Sequence, residues 1–289
     1  MAALGRILVH LLLSVAAART PKPFIRVDGL YLYEGSKPFR FLAANVYWLM
    51  AEASYGESGR ENVRAVLDRA VSLGVSVVRT WAFADGWSAP KLQPRQGQFD
   101  PNVLAALDFV VAEAGARNLR LLLPLLNYWT DYGGVAVYER WRDQGTAALG
   151  SAAVALWQPT SDCPLFYSHP TSHAHFQAMV DAVLRHANQI TGLALRDDPT
   201  ILGWELCNEC RCRGEGRVSE LQGWASSMVG YVKRVAPKQL VGVGVEGFYR
   251  SQSGHMDAAR ADALNPSDWY AHDDRSVHFQ FHTTFHDLP

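Results

Sequence analysis

The sequence of 289 residues has no excess of charge of either sign. Lys and Arg number 27, Asp and Glu number 28, and the formal net charge is −1. The absence of a basic excess argues against a nucleic-acid partner. Charged residues make up only 19% and hydrophobic residues 48%, which excludes an intrinsically disordered chain. This apolar content is enough for one large core or two modest ones.

Long hydrophobic runs are absent except at the N-terminus. There Arg6 precedes an apolar run from Ile7 to Ala18 that ends in three alanines. The run is too short for a membrane anchor, the alternative interpretation, because a bilayer needs about 20 apolar residues. Small residues after a short apolar run are typical of a secretory signal peptide. We therefore expect a signal peptide over residues 1–18 and a secreted, extracellular protein with no membrane partner.

Cysteine is scarce, with four residues, and three of them crowd into the segment CNECRC. Zinc could bind a Cys-x-x-Cys-x-Cys segment, but the sequence has no second pair of Cys or His at zinc-finger spacing. A secreted chain usually oxidises such thiols. We therefore favour disulfides or free thiols over a metal, and expect no cofactor. The four cysteines permit three full pairings, among which the sequence does not choose: Cys163, Cys207, Cys210 and Cys212.

Strand-like and helix-like segments alternate along the rest of the chain. A β-hairpin is predicted within residues 24–41. The apolar segments that predict strands are 39–46, 75–83, 119–127, 201–209 and 240–248, with a weaker one at 277–286. Helical periodicity lies between them, at 61–73, from Pro101 onward with Asp100 as its cap, at 176–190 and at 221–232. Such alternation predicts a parallel sheet built from βαβ units, with strands that are apolar on both faces.

Two parallel architectures compete, and the first strand distinguishes them. A doubly wound sheet is expected to carry a glycine-rich phosphate loop there, but Tyr47 and Trp48 follow Val46 instead. A (β/α)8 barrel gathers polar residues at the carboxyl ends of its strands. We therefore predict an α/β fold of the (β/α)8 TIM-barrel class from the residues at or near such ends: Asn45, Arg79, Asn127, Asn208, Glu209, Glu246 and His286.

The carboxylates at these strand ends suggest glycoside chemistry. A glycosidic bond is cleaved by two carboxyl groups, one of which protonates the leaving oxygen from a partly desolvated site. Glu209 follows an apolar strand and is a plausible acid. Glu205 lies earlier in that strand, and we expect it to be a structural carboxylate paired with Arg79. Arg79 is either such a buried ion-pair partner or a residue that holds the catalytic shell.

Other strand-end residues have two interpretations each. The nine tryptophans are an excess that usually reflects core packing, and a sugar-stacking groove needs the same residue type. Trp81 and Trp129 follow strand ends and either stack on sugar rings or cover the core. His286 is either a surface histidine or a hydrogen-bonding group in the cleft.

Three motifs then resemble a known family. RTWAFADG at 79–86, DDPTILGWELCNECRC at 197–212 and VGVEGFY at 243–249 are similar to segments of the plant-type endo-β-1,4-mannanases. That family belongs to family 5 of the glycoside hydrolases, in a clan of retaining (β/α)8 enzymes. The similarity extends from about Phe24 to Pro289, and implies one catalytic domain over residues 22–289.

The resemblance implies a role for each matching residue. Glu209 matches the family's acid/base, and Asn208 matches the asparagine that binds the sugar 2-hydroxyl. Arg79 and Trp81 match the strand-2 pair. Glu246 matches a supporting glutamate at strand 5. TTFHDLP at 283–289 places the strand-6 histidine at His286. The residues expected to bind substrate are Arg79, Trp81, Asn208, Glu246 and His286.

The chain departs from the family pattern in three places. Cys210 stands where the family usually has proline, and Leu288 stands where it has tyrosine. The family's nucleophilic glutamate ends strand 7, and this sequence ends at Pro289, which leads us to expect a barrel truncated after about strand 6 and a missing nucleophile. Spacing alone would pair Glu209 with Glu246, which remains a minor alternative.

Three functions remain open at the level of the sequence. The first is endo-hydrolysis of β-1,4-mannosidic linkages in mannan, glucomannan or galactomannan by a retaining double displacement, in a monomer with a polysaccharide as its only partner. The second is another β-1,4-glycanase of the same clan. The third is an inactive glycan-binding homologue, because the nucleophile is not found in the sequence.

Overall fold

The structure, a computed structural model, describes residues 22–86, 90–144, 163–212 and 218–245. The predicted signal peptide, the predicted strand at 277–286, Glu246 and His286 lie outside these ranges. Within them, no helix is long and apolar enough to cross a membrane.

Two sheets are present in the described ranges. A small antiparallel sheet contains β1 (Ile25–Asp28), β2 (Tyr31–Glu34) and β3 (Lys37–Pro38), in that order. The main sheet is parallel and its five strands neighbour one another in chain order. These strands are β4 (Ala43–Asn45), β5 (Val77–Arg79), β6 (Arg120–Pro124), β7 (Ile201–Glu205) and β8 (Leu240–Gly242).

Helices lie between the parallel strands, as the βαβ prediction requires. They are α1 (Leu49–Ala53), α2 (Glu57–Ser72), α3 (Pro101–Ala116), α4 (Val135–Gln144), α5 (Pro170–Leu184) and α6 (Val218–Val235). Short 3-10 turns occupy Leu165–Tyr167 and Leu195–Asp197. An unbroken sequential order is the order of a (β/α)8 barrel, whereas a doubly wound sheet reverses direction at a switch point.

The helix starts follow from local chemistry. The Asp100 carboxylate accepts a hydrogen bond from the Asn102 backbone N–H at 2.8 Å, and Pro101 occupies the first helical position of α3. A proline has no N–H to satisfy there, and an aspartate cap stabilises a helix start by about 1 kcal/mol. The predicted start of α3 is therefore confirmed.

The predicted bounds of two helices are wrong. The apolar periodicity predicted one helix through Ile190, but α5 ends at Leu184 and Ile190 is 60% exposed. The Asn188 side chain accepts hydrogen bonds from the backbone N–H groups of Ile190 and Thr191. This turn competes with the helix for the same backbone groups. Helix α2 begins four residues earlier than predicted, and the periodicity did not reveal α1 or α4.

The core lies between the parallel sheet and its helices. Strand residues such as Val78, Leu121 and Trp204 are fully buried against helix residues such as Leu67 and Val110. Burial on both faces explains why the strands read as continuous apolar runs. The core fixes the strands, and so fixes the polar residues that follow their carboxyl ends.

Candidate active site

Arg79 is the centre of a polar cluster at the carboxyl edge of the parallel sheet. As the last residue of β5, it donates from Nε to Glu205 Oε2 at 2.7 Å and from Nη2 to Asn208 Oδ1 at 2.9 Å. Its Nη1 donates to Asn45 Oδ1 at 3.3 Å. The expected ion pair is present, and the same guanidinium also holds a strand-end amide. The ion-pair interpretation of Arg79 is therefore confirmed.

Glu205 is a buried partner and not a free carboxylate. It ends β7 and is 7% exposed. Burial raises the pKa of its carboxyl, and the Arg79 guanidinium opposes that change. A carboxylate paired with Arg79 in this way orients the guanidinium.

Asn208 is fixed from both ends of its amide. Its oxygen accepts from Arg79, and its Nδ2 donates to Asn127 Oδ1 at 3.0 Å. Asn127 in turn donates from Nδ2 to the backbone oxygen of Asp131 at 3.0 Å. Hydrogen bonds at both ends settle which way the Asn208 amide points. The cluster therefore spans the ends of β5, β6 and β7.

Glu209 presents a half-buried carboxylate beside this cluster. Its backbone has φ +58°, and its N–H donates to the Gly244 oxygen at 2.8 Å. Left-handed backbone is uncommon in residues other than glycine, and it persists where the surrounding structure determines it, often at functional sites. Trp129 Nε1 donates to Glu209 Oε2 at 2.5 Å, so the carboxylate is also oriented.

Trp129 connects Glu209 to a second cation. The Trp129 side chain is 39% exposed, and the Arg211 guanidinium lies 4.4 Å from its ring centroid. Cations favour the face of an indole ring. Trp129 therefore lies between Arg211 and the Glu209 carboxylate. Sequence reasoning gave Trp129 only a stacking or covering role and missed the hydrogen bond.

Trp81 belongs to an aromatic wall. It is 9% exposed and stacks on Phe83, with ring centroids 4.9 Å apart. Tyr47 packs on it at 4.8 Å and Tyr132 meets it edge-to-face at 5.3 Å. The exposed member of the wall is Tyr47, at 43%. Sequence reasoning missed Tyr47 and Tyr132, although Tyr47 follows the end of β4 by two residues.

All four cysteines form disulfides, Cys163 with Cys212 and Cys207 with Cys210. The zinc alternative is therefore wrong, because the proposed thiol ligands are bonded to each other. Elsewhere in the described ranges, no group of three or more His, Cys, Asp and Glu side chains is arranged to hold a metal ion. The pairing was one of the three that the sequence left open.

These observations define a class: an α/β protein with a parallel, sequentially ordered sheet and an oriented Asn-Glu pair at its carboxyl edge. A family model described as GH family 5 beta-mannosidase-like matches residues 22–270. The chain belongs to this family of glycoside hydrolases.

Relatives and solved structures agree with this family. Mannan endo-1,4-beta-mannosidase 8 of Oryza sativa subsp. japonica is 38% identical over 248 residues, 86% of this chain and 62% of the relative. Mannan endo-1,4-beta-mannosidase 1 of Solanum lycopersicum is 38% identical over 226 residues, 78% of this chain and 54% of the relative. The chain spans about half the length of the curated relatives it matches.

The crystal structure of an endo-1,4-beta-mannanase from Rhizomucor miehei superposes with a TM-score of 0.64 at 28% identity. The match covers 81% of this chain and 64% of that one. The predicted α/β barrel fold and the predicted family are both confirmed.

Proposed function

We propose that this protein hydrolyses β-1,4-mannosidic linkages within mannan, glucomannan or galactomannan, with Glu209 as the acid/base of a retaining double displacement. The observation that carries the proposal is the Glu209 carboxylate, oriented by Trp129 at the carboxyl edge of the sheet. Carboxyl groups at that edge are where barrel enzymes carry catalysis. The names of the relatives supply the substrate class.

Glu209 takes part in two proton transfers in this mechanism. In the first step its carboxyl group gives a proton to the leaving glycosidic oxygen while a nucleophile attacks the anomeric carbon. In the second step the resulting carboxylate takes a proton from the water that releases the sugar. The indole N–H of Trp129 keeps the Glu209 carboxyl group in one orientation through both steps, because the indole only donates a hydrogen bond and does not take up the transferred proton.

Neighbouring residues hold and contact the sugar. The resemblance assigns Asn208 to the hydroxyl next to the anomeric carbon, and the fixed orientation of its amide between Arg79 and Asn127 supports this assignment. The aromatic wall that contains Trp81 presents Tyr47 to the solvent, and we assign this wall to stacking on a sugar ring. Glu246 and His286 are assigned supporting contacts by the resemblance.

We assign none of the described residues to the nucleophile. Glu205 ends β7 four residues before Glu209, and it is paired with Arg79. Glu246 as nucleophile is the minor alternative, because it follows β8, which pairs with the β7 strand that precedes Glu209. A Glu246→Gln variant that retains covalent trapping by a fluorinated mannoside inhibitor would exclude it.

The substrate class is tested with the protein at its full natural length. Soluble galactomannan, carboxymethylcellulose and xylan are compared by reducing-sugar release, and the anomer of the first product is followed by proton NMR. We expect release from galactomannan with retention of the β-anomer. Preference for the cellulose derivative would favour the second candidate function, that of a β-1,4-glucanase. Inversion at the anomeric carbon of the product would contradict the double displacement.

We also propose that the protein is secreted after cleavage near Ala18 and that residues 22–289 belong to one catalytic domain that acts as a monomer. The apolar run with its alanine end supports the cleavage site. N-terminal sequencing of secreted protein should begin near Arg19, and light scattering should give the mass of one chain. An intact Met1 on the secreted protein would contradict the first expectation.

A further inference from the structure

We propose that the Cys207–Cys210 disulfide is a positioning element for the acid/base Glu209, which lies inside the ring that this disulfide closes. The inference rests on the proposed function and goes beyond it. It assigns a role in the reaction to two cysteines that do not touch the substrate.

The ring contains both residues of the Asn-Glu pair. The disulfide joins cysteines three positions apart, so that Asn208 and Glu209 are the residues between them. Cys207 and Cys210 are 0% and 2% exposed. A buried crosslink over so short a segment restricts the backbone of the residues that it encloses.

Hydrogen bonds on two sides fix the first part of this segment. The N–H of Cys207 donates to the Val243 oxygen at 3.1 Å, and that of Asn208 donates to the Leu126 oxygen at 2.7 Å. The segment is thereby joined to the chain after β8 on one side and after β6 on the other. The chain must then turn at Glu209, which has φ +58°.

The left-handed turn at Glu209 is the feature that needs the crosslink. A residue with a side chain disfavours this backbone region, because its Cβ approaches the following carbonyl. The Gly244 oxygen accepts the Glu209 N–H at 2.8 Å, but that single bond does not determine where residue 210 goes. The disulfide does so, because it returns Cys210 to Cys207 and leaves the chain no extended path through Glu209.

A contact on the other side of Glu209 depends on the same turn. Trp129 donates to the carboxylate, and Arg211 covers the Trp129 ring. Arg211 lies between Cys210 and Cys212, so the turn sets the carboxylate directly, and sets together with the Cys163–Cys212 disulfide the cation that packs on its hydrogen-bond donor. Loss of the crosslink should therefore loosen the Glu209 and Trp129 contact while Arg79 still holds Asn208.

The test compares two disulfides in the protein at its full natural length. Cys207→Ala with Cys210→Ala removes the proposed positioning element, and Cys163→Ala with Cys212→Ala is the matched control. Activity is measured on galactomannan and on an aryl β-mannobioside with a good leaving group, which needs little protonation. We expect the first variant to lose about 10- to 100-fold in kcat on galactomannan, with KM changed less than about threefold, and to lose far less in kcat/KM on the aryl substrate, because kcat/KM reports the first step alone. The control should keep the wild-type ratio of the two activities.

A second measurement does not depend on activity. In protein labelled with 5-fluorotryptophan, the fluorine resonance of Trp129 is assigned by its loss in Trp129→Phe. We expect removal of the Cys207–Cys210 disulfide to move this resonance in the direction in which Glu209→Gln moves it. If the wild type releases no sugar from galactomannan, the proposed function fails and the resonance alone decides the positioning role.

Two outcomes would overturn the positioning role. The first is that removal of the disulfide leaves the Trp129 resonance unchanged and, if the protein is active, also leaves the ratio of the two activities unchanged. The other is failure to fold of both this variant and the corresponding pair of serine substitutions, which would assign the disulfide to folding.

Discussion

A buried carboxyl group behind the aromatic wall should make the stability of this protein fall as pH rises. Asp85 follows β5 by six residues and is fully buried. Gln93 Nε2 donates to its Oδ1 at 3.1 Å, and the Tyr138 hydroxyl lies beside the same amide at 3.4 Å. Burial raises the pKa of the Asp85 carboxyl from 3.8 to about 7, and the Gln93 hydrogen bond opposes this only in part.

The sign follows from proton binding in the two states. Between pH 4 and 7 the folded protein keeps the Asp85 proton that the unfolded chain has lost, so stability decreases with rising pH. The stabilisation by the Asp85 proton is complete below pH 3.8 and decreases progressively as the pH rises from 3.8 to about 7. At 1.36 kcal/mol per pKa unit, the free energy of unfolding should fall by about 2–3 kcal/mol between pH 5 and pH 8 from this group alone.

The substitution Asp85→Asn isolates this contribution, because asparagine resembles the protonated acid and does not titrate. Unfolding by urea is measured at pH 5 and pH 8 for wild type and variant. We expect the variant to gain about 2–3 kcal/mol relative to wild type across that interval. Asp68→Asn is the control: Arg117 lowers the pKa of the exposed Asp68, so its titration lies below the interval. A difference between Asp85→Asn and wild type that stays constant from pH 5 to pH 8 would refute the reasoning.

Two further changes test the structure around the site. At Gly244, with φ +79°, an added Cβ would lie 1.9 Å from the Cys207 oxygen, so Gly244→Ala should lower the free energy of unfolding by at least about 2 kcal/mol. Gly223→Ala on α6, where a Cβ meets nothing within 4 Å, should instead stabilise by about 0.5–1 kcal/mol; equal effects in urea unfolding would contradict the clash. Loss of the Cys163–Cys212 disulfide, with its sequence separation of 49, should cost about 4 kcal/mol, against about 2 kcal/mol for the shorter disulfide; a smaller loss for the longer loop would argue against the entropic account.

Local signals account for what could be predicted of the fold. The start of α3 was predictable because Asp100 caps it and Pro101 suits the first helical position. The apolar strands predicted a parallel sheet covered by helices on both faces. The pair of Arg79 and Glu205 was also predictable, because both lie near the carboxyl ends of strands. The end of α5 was not, since the apolar spacing continued past Leu184 while the Asn188 turn stopped the helix.

The parts of the site that could not be predicted depend on distant contacts. Trp129 and Glu209 are 80 positions apart, and no periodicity relates them. The choice among three cysteine pairings depends on where Cys163 folds back onto the chain. The left-handed backbone at Glu209 has no sequence signal, because no glycine or asparagine occupies that position.

The most direct test of the central claim is the leaving-group dependence of Glu209→Gln. The ratio kcat/KM, which reports the first step, is measured for wild type and variant, at full natural length, on galactomannan and on aryl β-mannobiosides with leaving groups of increasing acidity. Glu57→Gln, an exposed carboxylate on α2 paired with Arg64, is the matched control and should behave as wild type. If Glu209 delivers the proton, kcat/KM on galactomannan falls by about 10²–10⁴-fold, and the loss in kcat/KM shrinks steadily as the leaving group becomes more acidic. An equal loss on every substrate, or wild-type activity on galactomannan, would contradict the assignment.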